Sequence, residues 1–192
     1  MKGTLAVTGD QEADDLLNTN PLAMVIGMLL DQQVPMEWAF RSPATLKRRM
    51  GDRFTESAIA AMHPEDLVAV FCEKPALHRY PAAMARRVHA LCAHVVEHHG
   101  GDAANVWHGV RSGDELFDRI RALPGFGDEK ARIFLALLAK RLGQRPPGWE
   151  ERAGPFADDH PRSVADISSR DAFDRVRHWK KAQKAAGKGK GD

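Results

Sequence analysis

The chain has 192 residues, of which 43% are hydrophobic and 28% are charged. These values are ordinary for a globular protein of one domain or two small lobes, and a formal net charge of +2 is too small to indicate a nucleic-acid partner by itself. Only Cys72 and Cys92 are present, which implies no disulfide framework. No signal peptide opens the sequence, and its longest apolar run, residues 21–30, is too short to span a bilayer. We therefore expect a cytoplasmic protein with no membrane partner.

The N-terminal part of the chain predicts helices of different character. Residues 5–7 are apolar and fit an arm or an edge strand, and residues 10–18 have the pattern of a short amphipathic helix. Residues 21–33 predict a helix that is apolar almost all round and therefore central to the core. This helix ends in Gln32 and Gln33. A solvated helix end explains the two glutamines, and so does a functional role for their amide groups.

The middle of the chain predicts short helices followed by a long one. The short helices cover residues 36–40, 43–50, 56–62 and 64–71, and the long helix follows Tyr80 and ends near residue 100. His94 and His98 lie four residues apart and could share a metal, but no third ligand is evident. Surface histidines are the simpler interpretation, and we expect no metal site.

The stretch Leu123-Pro124-Gly125-Phe126-Gly127 separates two amphipathic helices, predicted over 114–123 and 128–142. So short a connection predicts a tight helical hairpin. Gly125 and Gly127 permit positive φ and leave the backbone bare. Amide groups at the start of the second helix then point outward, where unsatisfied donors and the helix dipole favour a phosphate. An ordinary structural hairpin would explain the same five residues.

This arrangement resembles the helix-hairpin-helix element of the DNA-glycosylase superfamily that includes endonuclease III, the adenine glycosylase and the alkyl-base glycosylases. The resemblance covers about residues 20–142, because the apolar helix with its glutamines and the Tyr80 turn before a long basic helix precede the hairpin in the same order. It implies an all-α, two-lobed fold, duplex DNA as the partner, and nucleoid association. It also implies a role in base-excision repair. Nothing in the sequence requires more than a monomer.

The resemblance further divides the chain into lobes. One lobe would consist of residues 1–19 and 143–186. The other would consist of residues 20–142 and end in the helix-hairpin-helix at 112–142, and residues 187–192 would form a disordered basic tail.

Residues for DNA binding follow from the resemblance position by position. In the superfamily, a glutamine after the apolar helix probes the gap left by an extruded base, and Gln33 matches that glutamine best. The expected DNA contacts are Gln32, Gln33, Tyr80, Arg86, Gly125, Phe126, Gly127 and Lys130.

Catalysis in the superfamily cleaves the N-glycosidic bond of an extruded base through a cation-like sugar transition state, which a carboxylate can stabilise. Bifunctional members add a lysine two residues after the second hairpin glycine, and Glu129 occupies that position here. Lys130 lies about 100° further around the helix, so a monofunctional glycosylase is expected. Aligning the family's aspartate on Gly143 places Glu150 at its position, with Glu151 as the alternative. Both glutamates also fit a helix start, where acids favour the dipole.

Two features depart from the family pattern. Asp128 and Glu129 place negative charge beside the predicted phosphate site, and two cysteines cannot hold the four-cysteine iron–sulfur cluster of some relatives. No cofactor is therefore expected. A catalytically inactive protein that binds DNA damage, or a protein-interaction scaffold, remains an alternative to the glycosylase.

The C-terminal part predicts a helix over 171–186, which we expect to pack against the helix at 10–18. It ends in a lysine-rich segment with Lys180, Lys181, Lys184, Lys188 and Lys190. These lysines fit either solubility or salt-sensitive, sequence-independent DNA affinity.

Overall fold

A computed structural model describes residues 3–189 and 191, and within these residues the secondary structure consists of α-helices and short 3-10 turns, with no β-strand. The predicted all-α class is confirmed. The helices are α1 (Gln11–Thr19), α2 (Pro21–Leu30), α3 (Met36–Met50), α4 (Glu56–Ala61), α5 (Pro64–Cys72), α6 (Pro81–His98), α7 (Gly113–Arg121), α8 (Asp128–Leu142), α9 (Trp149–Ala153) and α10 (Arg170–Ala185). In the part of the chain described, no helix is both long enough and apolar enough to cross a bilayer.

Helix α2 lies at the centre of the fold. All nine residues after Pro21 are buried, as expected for a helix that is apolar all round, and α1, α3 and α6 pack around it. It ends at Leu30, however, so the predicted end at residue 33 is wrong. The backbone leaves the helical region at Asp31, with φ −71° and ψ 71°, and Gln33 has a φ of +57°. The two glutamines therefore lie in a turn rather than on the helix.

Residues 36–50 form one helix instead of the two predicted ones. Pro43 lies inside α3, where its missing N–H and its ring cost about 3 kcal/mol. Phe40, Pro43, Ala44 and Leu46 are all buried, and we attribute the continuity of the helix to this packing. Proline alone was therefore a misleading signal for a helix end.

The two hairpin helices, α7 and α8, form the other half of the core. Helix α8 has the predicted bounds, and its residues 133–139 are all buried. Helix α9 packs on both α7 and α8, and a 3-10 turn at Val164–Asp166 packs on α8. The apolar residues 5–7 form an extended arm in which Leu5 and Val7 are buried.

One hydrophobic cluster runs from Leu5 to Val176 through both halves. Helix α10 packs mainly on the 3-10 turn at Val164–Asp166, whereas α1 packs on α2 and α3. The division into two lobes stays a prediction. So does the disordered tail at 187–192, since Lys190 and Asp192 are outside the described residues.

Candidate nucleic-acid interface

The hairpin between α7 and α8 presents bare backbone at the surface. The Phe126 N–H donates to the Leu123 carbonyl at 3.1 Å, and Gly125 has a φ of +87°, a conformation that favours glycine. Gly127 is exposed and begins α8 without any side-chain cap. The first amide groups of α8 can therefore meet a ligand directly. Phe126 itself is buried with its ring 5.8 Å from that of Phe134, so its side chain belongs to the core.

The hairpin is fixed against the C-terminal end of α2. A Cβ placed on Gly125 would lie 2.6 Å from Leu29 Cδ1, so a larger residue here would require the Leu29 side chain to move. Lys130 Nζ donates to the carbonyls of Met28 at 3.0 Å and Leu29 at 2.9 Å. A cation suits this position because the C-terminal end of a helix carries partial negative charge. Lys130, predicted to contact DNA, thus joins two elements about a hundred residues apart in sequence.

The glutamine turn, residues 31–34, follows directly. Gln32 Nε2 donates to the Leu29 carbonyl at 2.7 Å, and Gln32 Oε1 accepts from Arg87 Nη1 at 2.7 Å. Gln33 is exposed, and among the described residues it is the one non-glycine residue with a positive φ. Such backbone strain, about 1–3 kcal/mol, persists only where the surroundings impose it. The turn is therefore held in one conformation with its second glutamine in solvent.

His78 connects the glutamine turn to the start of α6. Its Nδ1 accepts the Tyr80 N–H at 3.0 Å, so its proton is on Nε2, which donates to the Gln32 carbonyl at 2.9 Å. Burial lowers the pKa of His78 below its ordinary value and favours this neutral form. Two exposed aromatic rings flank it, Trp38 at 6.4 Å and Tyr80 at 6.2 Å between ring centroids. Trp38 was missed by the sequence analysis, although an aromatic residue five positions after Gln33 was an available signal.

Arg87 lies beside the glutamines, and the DNA contact expected of Arg86 stays a prediction. Arg86 forms a two-pronged pair with Glu65 of α5, with distances of 3.0 and 2.8 Å to Glu65 Oε1. Adjacent residues on a helix point about 100° apart, and sequence alone did not fix which arginine of α6 would face the turn.

Two acidic residues, Asp128 and Glu129, lie beside the hairpin and have different surroundings. Asp128 forms an ion pair and hydrogen bond with Arg121 of α7, which lowers the pKa of the Asp128 carboxyl. Glu129 lines a cavity of about 330 Å³ together with Arg132, Pro155 and other neighbours. The charge of Asp128 is thus compensated, and Glu129 borders an open space next to the hairpin.

Glu150 and Glu151, the predicted catalytic acids, lie on α9, which runs along α7, since Arg152 approaches Asp114 at 3.4 Å and Asp118 at 3.8 Å. A Cβ on Gly113 would lie 2.6 Å from the Gly148 carbonyl oxygen, so α9 begins beside the first residue of α7. The nine residues of α7 extend about 13 Å from there toward the hairpin. Both glutamate side chains are exposed. Neither has a hydrogen bond or ion pair with another described residue.

His94 and His98 are the two residues for which a metal site was considered and not expected. The rings of His94 and His98 lie 4.4 Å apart, and the described residues contain no group of three or more side chains suited to hold a metal ion. Cys72 is exposed and Cys92 is buried, and both are free thiols.

The chain matches a known protein family over most of its length. The model of the HhH-GPD superfamily base excision DNA repair proteins matches residues 26–188. A comparison with curated proteins finds no significant match. The family match begins within α2 and includes the glutamine turn, the whole hairpin and α10, so the chain belongs to the HhH-GPD superfamily of base excision DNA repair proteins, a membership that implies DNA binding.

Proposed function

We propose that the chain is a monofunctional DNA N-glycosylase that removes a damaged or mismatched base from duplex DNA. The observation that carries the proposal is the fixed junction between hairpin and glutamine turn, made by Lys130 and the close approach of Gly125 to Leu29. With the first amides of α8 on a backbone phosphate, Gln33 would reach the adjoining base pairs. Its amide can both donate and accept, which suits the edge of an orphaned base.

The reaction would proceed on an extruded base. Breaking the N-glycosidic bond transfers the bonding electrons to the base, water adds to the sugar carbon, and an abasic site remains. A carboxylate would stabilise the cationic sugar or accept a proton from water. Glu150 and Glu151 remain candidates, and the structure adds Glu129, since it borders the cavity beside the hairpin. The Lys130 amino group is occupied by two carbonyls, which argues against a Schiff-base lyase step.

Base release from a panel of damaged and mismatched duplexes tests this function. Strand cleavage that requires alkali or heat after incubation is the expected result for a monofunctional enzyme. Three single variants, Glu129→Gln, Glu150→Gln and Glu151→Gln, would identify the carboxylate, with Glu97→Gln on α6 as an exposed control. Full activity in all three would contradict the assignment of the acid to these positions.

A second candidate function is damage recognition without catalysis. The exposed position of Glu150 and Glu151 on α9 favours it, because no hydrogen bond or ion pair with a described residue orients either carboxylate. Binding to damaged duplexes without release would make it the better description. A scaffold that has lost DNA binding draws less support, since Arg121 compensates the charge of Asp128. A cytoplasmic, nucleoid-associated monomer fits either DNA-binding function.

A further inference from the structure

Helix α10 carries a basic stripe, defined here as Arg170, Arg177, Lys181 and Lys184. Their spacings of seven, four and three residues place them within about 60° of one another around a helix. All four are exposed, while Ala172, Phe173 and Val176 are the buried residues of the helix. The stripe therefore faces solvent along about 21 Å of helix.

The charges of the stripe are only partly compensated. Arg170 lies 3.6 Å from Asp174, and Arg177 lies 3.6 Å from Glu37 of α3. Lys181 and Lys184 form no ion pair with any residue in the described ranges. Apolar packing explains why α10 is held against the protein, but it does not account for this row of exposed cations.

The stripe is adjacent to the glutamine turn. Besides the Arg177–Glu37 pair, Lys180 Nζ lies 2.9 Å from Met36 Sδ, so the middle of α10 rests on the first turn of α3. Glu37 comes four residues after Gln33, and the two backbones are at most about 15 Å apart. A duplex in contact with Gln33 would thus pass close to the stripe.

We propose that the basic stripe binds the phosphate backbone of the same duplex that meets the hairpin and the glutamine turn. The inference rests on the proposed DNA-binding function. About 21 Å of helix corresponds to about six base pairs. Lysine contacts with phosphate carry no sequence information, so the stripe would add affinity along the duplex without changing which base is recognised.

The salt dependence of DNA affinity tests the stripe. Binding of the full chain to a fluorescein-labelled 25-bp duplex would be measured by anisotropy between about 50 and 300 mM KCl. In the double variant Lys181→Gln/Lys184→Gln, the slope of log K against log salt should become shallower by about 1.8, since each lost phosphate contact removes about 0.9. Glutamine has a helix propensity close to that of lysine, and circular dichroism would verify that α10 remains folded.

The matched control is Lys47→Gln/Arg48→Gln, which removes the same charge from exposed positions in the last turn of α3. An equal change of slope in both double variants, or an unchanged slope in the α10 variant, would overturn the inference while leaving the proposed function in place. A wild-type chain that does not bind DNA at all would overturn both. A change confined to the α10 variant, with the preference among damaged duplexes retained, supports the stripe.

Discussion

Replacement of Lys130 by methionine removes the cation that joins the hairpin to α2. Methionine retains an unbranched chain, so the apolar part of the side chain is largely conserved, although the contact of Lys130 Nζ with the Phe126 ring, 5.8 Å from its centroid, is removed. What is lost is the ammonium group, which donates to the Met28 carbonyl at 3.0 Å and the Leu29 carbonyl at 2.9 Å. The variant therefore tests whether this junction stabilises the fold.

The expected loss of stability depends on which hydrogen-bond partners the Met28 and Leu29 carbonyls keep in the variant. Hydrogen bonds from a charged donor contribute about 1.5–3 kcal/mol each. The Leu29 carbonyl keeps a second partner in Gln32 Nε2, whereas Met28 loses its side-chain donor near the end of the helix. Because the half-buried ammonium no longer has to be desolvated, part of the loss is offset. We expect the free energy of unfolding to fall by about 2 kcal/mol.

Urea unfolding followed by far-UV circular dichroism would measure this loss at pH 7.5. Lys47→Met on α3 is the matched control, because Lys47 is exposed and the chemical change is identical. A loss below about 0.5 kcal/mol in Lys130→Met, or an equal loss in Lys47→Met, would refute the reasoning. We also expect Lys130→Met to bind damaged duplexes more weakly, since the hairpin and the glutamine turn would no longer be held in register.

Three further predictions concern the same region. Gly125→Ala should lower the free energy of unfolding by about 1–3 kcal/mol, because alanine is strained at a φ of +87° and its Cβ would meet Leu29. Gly127→Ala, with a φ of −91° and open space around it, should lose only about 0.5 kcal/mol, because alanine is a poorer N-cap than glycine, and it should weaken DNA binding. Equal stability losses in the two variants would contradict this. Because the pKa of His78 is lowered in the folded protein, the unfolded chain takes up the proton first as the pH falls. The free energy of unfolding should therefore decrease below about pH 6.5, by at most about 1.4 kcal/mol per pH unit. Denaturation at pH 7.5 and 5.0 should show a smaller decrease in His78→Asn than in the wild type, and an identical decrease would show that His78 does not cause it. Borohydride should trap no covalent complex with DNA, because the Lys130 amine is held by carbonyls; a trapped adduct would contradict the monofunctional assignment.

Local signals predicted the hairpin well. Ser112 caps α7 through the Glu115 N–H at 3.1 Å, and α8 spans the predicted residues 128–142. Helix periodicity, capping residues and glycines act over a few residues, so they can be read without knowing the rest of the fold. The same is true of α2 as a central helix, since an apolar surface on every side requires burial.

Side-chain partners could not be predicted in the same way. The DNA contact of Lys130 stays a prediction, but its bonds to carbonyls 101 and 102 residues away in sequence could not be found from any local pattern. The orientation of α6 decides that Arg87, rather than Arg86, reaches Gln32, and a rotation of about 100° would reverse the two. The end of α2 was misplaced for a related reason, because the Lys130 bonds that complete its last carbonyls come from a helix about a hundred residues away and leave no local pattern.

The charges at the hairpin affect how this protein would bind and select DNA. A carboxylate at the start of a helix competes with a phosphate for the same amide groups. Asp128 is paired with Arg121, so its charge does little to oppose a phosphate at these amide groups. Affinity for undamaged DNA would then come from these amides together with the lysines of α10, which do not distinguish sequences. Selectivity would depend on the rigid placement of Gln33 relative to the hairpin, since the lesion changes the duplex where Gln33 meets it.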